Sequence, residues 1–256
     1  MGYVLRRLRL AYGRLVAHWL WWRHGCRAPG TIEKIGTEYG GWHCIPGAFT
    51  PGGVALCAGA GEDVSFDVLL NTRHGLHVIC VDPTPRAIAH VRGLLAAAAR
   101  GATVPIETGP ASYALEGFEA ERFEFLPVAL WSDDGSLRLY APRDPAHVSH
   151  SAANLQHTTE FIEVPAARLD TLLAARRIVE LALLKLDIEG AEYAVLDALL
   201  AGRCRPAQLL VEFDELNAPQ SPAVGARVGR RVRALLAAGY RLARVAGANF
   251  LFVHAP

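Results

Sequence analysis

Neither sign of charge dominates these 256 residues: lysine and arginine number 26, aspartate and glutamate 25, and the net charge is +1. That balance offers no field for a polyanion, so no nucleic-acid partner is expected. Cysteine is sparse and odd in number (Cys26, Cys44, Cys57, Cys80 and Cys204). With no Cys-x-x-Cys pair and no zinc spacing, the chain reads as neither a disulfide scaffold nor a zinc protein, and no metal ligands are assigned. Cys57 and Cys80 fall in apolar runs, where a thiol behaves as a small hydrophobe. A reduced, cytoplasmic setting is the expectation. No apolar run reaches the roughly 18 residues that span a bilayer; the nearest, Leu15 to Trp22, is interrupted by His18. Arg6-Arg7-Leu8-Arg9 looks like the start of a secretory leader, but the apolar part is short and no clean cleavage site follows. Ser149-His150-Ser151 invites a hydrolase reading, yet the chain has no Gly-x-Ser-x-Gly elbow. Internal repeats and low-complexity segments are also missing.

What is present is a chain rich enough in apolar residues, at 52%, to build a packed core. The length suits one large α/β domain or two small ones. Residues 1–50 read as an accessory helix and loop segment, and residues 51–256 as the main domain. Within 3–23, Leu5, Leu8, Tyr12, Leu15, Val16, Trp19 and Trp22 recur at helical spacing, with Arg6, Arg7, Arg14 and His18 on the other side. Two readings stay open: a helix packed on the main domain, or a basic, Trp-rich surface helix that contacts a membrane or a membrane-bound partner. The Gly- and Pro-rich stretch 25–51 reads as loop with one short strand at most. Its Gly40-Gly41-Trp42 segment suits a lid or a packed connector.

From residue 53 strands and helices alternate. Gly53 to Ala58 is a buried strand, followed by the turn Gly59-Ala60-Gly61-Glu62-Asp63 and a helix from Val64. His77 to Val81 is the next strand, closed by Asp82-Pro83, and Pro85 opens a helix to Arg100. Phe123 to Ser132 reads as a third strand. Asp133 then stands at its carboxyl end, beside the crevice, unless Asp134-Gly135 is simply a hairpin turn. Phe161 to Val164 is strand-like, and Ala166 to Arg177 helical. Gln208 to Phe213 is a further strand, Pro222 to Ala238 a helix, and residues 240–253 an antiparallel hairpin.

The stretch around which this series is organised is Leu183-Leu184-Lys185-Leu186-Asp187-Ile188-Glu189-Gly190-Ala191-Glu192. It reads as a buried strand, a sharp turn and a helix start. In an open α/β sheet, ligands sit at the carboxyl ends of strands. Acids at a helix N-terminus also serve as caps, but capping accounts for one acid and not for three. Lys185 and Asp187 alternate onto one face, so a partly buried lysine paired with an acid is expected.

A Gly-x-Gly turn with an acid closing the second strand fits an adenosine-containing ligand, either a dinucleotide or S-adenosylmethionine. A dinucleotide site wants a small residue where Val64 stands. Taken together, Lys185-x-Asp187-Ile188-Glu189-Gly190-Ala191-Glu192, Asp82-Pro83-Thr84-Pro85, Gly59-x-Gly61-Glu62-Asp63 and Phe250-Leu251-Phe252-Val253 resemble the FkbM-type S-adenosylmethionine-dependent methyltransferases. Lys34-Ile35-Gly36-Thr37-Glu38-Tyr39-Gly40-Gly41-Trp42 is similar to the opening segment of one branch, and the resemblance covers roughly 33–254. It implies a Rossmann-like class I α/β fold, with a seven-stranded, mostly parallel sheet and an antiparallel C-terminal strand. It also implies O-methyl transfer to a sugar, glycan or natural-product hydroxyl. The chain departs from the common pattern at Cys57, where an acid often precedes the loop, and at Asp63, where a third glycine often stands. On this resemblance Gly59 and Gly61 admit the methionine part, with Glu62 or Asp63 near its amino group. Asp82 binds the ribose, Asp133 lies near the adenine, and Asp187 and Glu189 sit by the methyl donor. One of those two acids orients the acceptor or acts as base, with His150 the next candidate. Three alternatives remain: a divalent cation on Asp187, Glu189 and Glu212, an NAD-linked oxidoreductase, and a non-catalytic binding module.

Overall fold

A computed structural model describes residues 2–106, 108–109, 111–141, 151–152, 158–217 and 219–255, with side chains from residue 7 onward. His150 therefore lies outside the described residues. The chain opens with helix α1 (Gly2–His24) and the short hairpin β1 (Glu33–Ile35) and β2 (Trp42–Cys44). Alternation then begins: β3 (Val54–Ala58), α2 (Ser65–His74), β4 (His77–Val81), α3 (Pro85–Ala98), β5 (Phe123–Leu126). A side sheet follows, of β6 (Ala129–Trp131), β7 (Gly135–Tyr140) and β8 (Phe161–Arg168), with α4 (Leu169–Ala175) after it. The series closes with β9 (Leu183–Leu186), α5 (Glu192–Ala201), β10 (Gln208–Glu212), α6 (Val224–Ala237), β11 (Tyr240–Ala246) and β12 (Asn249–His254).

The central sheet has seven strands in the order β11-β12-β10-β9-β3-β4-β5. Parallel pairing runs from β10 through β9, β3 and β4 to β5, and β12 is antiparallel to both β10 and β11. This is the sheet that the resemblance implies. Strand alternation sorts the core into two halves. Leu56, Ala58, Ile79, Val81, Leu184 and Leu186 point into one, with α1, α4, α5 and α6. Ala55, Cys57, Val78, Cys80 and Leu183 point into the other, with α2, α3 and the β1–β2 hairpin. Burial pushes the Cys57 and Cys80 thiols well above their ordinary range, so they are inert packing groups.

Three expectations need correction. The single strand expected over 123–132 is two strands in two sheets. Proline has no N–H to continue a ladder, and at Pro127 the chain kinks, with the Val128 N–H returning to the Leu126 carbonyl at 2.9 Å. The stretch 25–51 holds a paired hairpin rather than one strand. The helix expected from Ala166 starts only at Leu169, because β8 extends to Arg168 to pair with β6 and β7. Helix α1 packs on the domain through Val16, Ala17 and Leu20, while Leu8, Leu15, Trp19 and Trp22 are exposed. Gly13 lets the helix approach the 214–216 turn: a Cβ there would overlap the Leu216 carbonyl.

Candidate functional site

Between β3 and β9 the strand order reverses direction, the place where an open α/β sheet forms its ligand crevice. A cavity of about 400 Å³ lies there. Its floor is the turn after β3. Gly59 takes φ +91°, and a Cβ on it would overlap the Asp187 carbonyl, so only glycine lets these two strand ends run side by side. Gly61, at φ +53°, lines the same cavity.

Asp82, at the end of β4, is buried and holds that turn in shape. Its Oδ2 accepts from the Ala60 and Gly61 N–H groups at 2.9 and 3.1 Å, and its Oδ1 from the Thr84 N–H and hydroxyl at 2.8 and 2.7 Å. A carboxylate offers about four acceptor positions, so the ribose role expected of Asp82 requires exchanging one of these bonds. Glu62 lines the cavity and pairs with Arg86 at 3.0 Å.

Asp63, which stands where a third glycine is often found, has a structural explanation. Its carboxylate accepts from the Thr37 and Thr108 hydroxyls, each at 2.6 Å, and from the Ser65 N–H at 3.0 Å. Burial would raise its pKa, but the bonds from Thr108, Thr37 and Ser65 outweigh that and hold it below the ordinary range. Asp63 thereby latches residues 37–40 over the turn, and a Cβ on Gly40 would lie 2.5 Å from its Cγ. The Gly40-Gly41-Trp42 segment is thus a packed rim, with Tyr39 exposed and Trp42 buried against the cavity.

The acids after β9 divide their work. Glu192 is buried and reaches back to the Ile188 and Gly190 N–H groups at 3.1–3.2 Å. It is the turn's internal cap, and burial pushes its carboxyl up to about 8. Glu189 takes φ +50°, and its carbonyl accepts from the Ser151 hydroxyl at 2.6 Å. Asp187 faces the cavity, with Lys185 Nζ 3.4 Å from its Oδ2. Lys185 is buried, donates to the Gly59 carbonyl at 2.6 Å and lies 5.4 Å from the Trp42 ring centroid. Burial works to discharge this lysine, but Asp187 and Asp67 keep it charged.

Beside Asp187 stand Glu212 and Asp214, at and just beyond the end of β10. Burial, then the Asp187 charge and a hydrogen bond to it, raise the Glu212 carboxyl well above the ordinary range. Burial thus biases Glu212 toward its neutral form, and its Oε1 accepts from Asn217 Nδ2 at 2.6 Å. Asp214 is raised by burial, then by Asp187 and Glu215. Among the described residues, no group of three histidines, cysteines or acids is placed to hold a metal ion.

Asp133 does not reach the cavity. It is exposed in the turn before β7 and accepts from its neighbour Ser132 at 2.7 Å. Its companion Asp134 instead ties down the start of α4, accepting from the Arg168 N–H and the Thr171 hydroxyl. The cavity wall on that side is apolar, from Ala129, Leu130 and Leu139. Thr108, Asp214, Asn217 and Asn249 also line the cavity, and sequence reasoning missed them. Asp214 had a signal, as a second acid past a strand end, whereas Thr108 lies in a stretch without periodicity.

The family model described as "Methyltransferase FkbM domain" matches residues 54–242. No curated protein matches the chain. Among solved structures, a crystal structure of a mutant of MtNAS aligns with a TM-score of 0.40 at 13% identity, over 82% of this chain and 56% of that one.

Proposed function

The chain belongs to the FkbM methyltransferase family, and from that premise we propose that it moves a methyl group from S-adenosylmethionine to a hydroxyl of a sugar, glycan or natural product. The observation that carries the cofactor reading is the charge of the cavity. Among the described residues its lining holds five acids (Glu62, Asp63, Asp82, Asp187 and Glu189) besides Glu212 and Asp214, whose carboxyls burial biases toward the neutral form, and one cation, Lys185, already paired. S-adenosylmethionine, when bound, supplies a methyl group on a positively charged sulfur, and its amino group is a second cation. Such a ligand suits an acidic cleft, whereas the pyrophosphate of NAD would meet like charge and no free cation. The volume also falls within the range of cofactor clefts.

In this reading Gly59, Gly61 and Glu62 face the methionine part, and Ala129, Leu130 and Leu139 form the wall for the base. A hydroxyl acceptor must be oriented and must lose its proton. Asp187 is the residue assigned to that task. Lys185 fixes its position. Glu189 is next on the same rim, and His150 remains the further candidate from the sequence.

Thermal unfolding with S-adenosylmethionine and, separately, with NAD tests the cofactor assignment. Stabilisation by S-adenosylmethionine alone is expected, because a ligand that binds only the folded state raises its stability. A shift with NAD alone would overturn the reading. Binding of S-adenosylmethionine without methyl transfer to any hydroxyl acceptor would favour a non-catalytic module.

A further inference from the structure

Helix α1 has two apolar faces, and the fold uses one. Gly13, Val16, Ala17 and Leu20 are buried against the domain. On the opposite side Leu8, Leu15, Trp19 and Trp22 are 62%, 67%, 50% and 75% exposed. At 3.6 residues per turn these four side chains fall within roughly 60° of the helix circumference. They form one stripe that none of the described residues covers. Soluble proteins seldom leave contiguous apolar surface of this kind without a use.

The charge around the stripe identifies its occupant. Residues 1–32 contain six arginines and no aspartate or glutamate, although the whole chain is nearly neutral. The exposed Arg14 and His18 border the stripe on one side and the exposed Arg23 on the other. Tryptophan and leucine flanked by arginine make up the pattern of a helix that lies in the plane of a membrane interface, with its apolar side in the acyl boundary and its cations at anionic headgroups. Among the described residues no helix is long and apolar enough to cross a bilayer. We propose that the outer face of α1 docks the enzyme on an anionic lipid surface, lying flat upon it. The inner face of the same helix backs the 214–216 turn, whose Asp214 lines the cavity, so the docking element and the site share one support.

Co-sedimentation of the full chain with vesicles tests this. One set is phosphatidylcholine alone, and the other contains phosphatidylglycerol as well. The wild type is expected to pellet with the anionic vesicles, to be released by high salt, and to show a blue shift of tryptophan emission on binding. Trp19→Ser with Trp22→Ser is expected to lower partitioning by about tenfold or more, and Arg14→Glu with Arg23→Glu to abolish the preference for anionic lipid. All four positions are exposed, so the thermal midpoint of each double variant should match that of the wild type. No pelleting of the wild type with anionic vesicles at low salt would overturn the proposal, as would equal pelleting of the tryptophan variant. A wild-type dimer that the tryptophan change dissolves, with no vesicle binding, would assign the stripe to a second copy and likewise overturn it.

Discussion

Lys185 and Gly59, 126 residues apart in the chain, are joined by a 2.6 Å hydrogen bond from the ammonium to the carbonyl. That bond ties the two strands on either side of the crevice together at the floor of the cavity, and the same ammonium fixes Asp187 at 3.4 Å. Lys185→Met removes the cation and leaves the Gly59 carbonyl and Asp187 without it. A loss of about 2–3 kcal/mol is expected, read as a lower urea midpoint with an unchanged slope. Stability within experimental error of wild type would mean that the lysine ties nothing.

Gly59 and Gly61 both sit at positive φ, but their surroundings differ. Gly61→Ala meets open space, so only the left-handed backbone is penalised, at about 1 kcal/mol. Gly59→Ala also drives a Cβ into the Asp187 carbonyl, and should cost more than its neighbour and abolish cofactor binding. Denaturant titration of the two variants side by side checks the order; equal costs would contradict the close approach of the strand ends.

Glu192 links the turn after β9 to pH. Burial raises its carboxyl from 4.5 to about 8. A group raised in the folded state contributes stability that is complete below its unfolded value and fades as pH rises through the folded one. The window is therefore pH 4.5 to 8, and within it the folded protein keeps a proton that the unfolded chain releases. Stability should fall on going from pH 5 to pH 8, by about 1.4 kcal/mol per pH unit for each such proton. Glu192→Gln, which can still accept from the Gly190 N–H, should flatten that slope by one proton's worth. An identical slope in the variant would contradict the buried, neutral carboxyl.

The strands flanking the crevice were legible because each is buried on both faces and reads as an apolar run, interrupted in β9 by Lys185, that ends in Gly59, Asp82, Asp187 or Glu212. The terminal hairpin was legible from its glycine turn. The break inside 123–132 was not, since apolar residues continue across Pro127 and only tertiary pairing shows that they enter two sheets. The two faces of α1 were merged for a related reason: periodicity marks apolar positions but does not distinguish the side that meets the domain. In the site, the motif put Asp187 and Glu189 just past β9, and both line the cavity. Glu192 turned out to be the internal cap of the turn, as its position at the helix start allowed. Asp133 is misplaced because its turn belongs to the side sheet. The latch between Asp63 and Thr37 or Thr108 joins segments 26 and 45 residues apart, a distance over which spacing carries no signal.

The central claim is that the cavity beside Asp82 takes S-adenosylmethionine. Calorimetric titration of that compound into the wild type and into Asp82→Ala tests it most directly. Asp82 holds the turn through the Ala60 and Gly61 N–H groups, so one site per chain is expected in the wild type, with affinity at least about tenfold weaker in the variant. No heat of binding to the wild type, or the same affinity in both proteins, would contradict it.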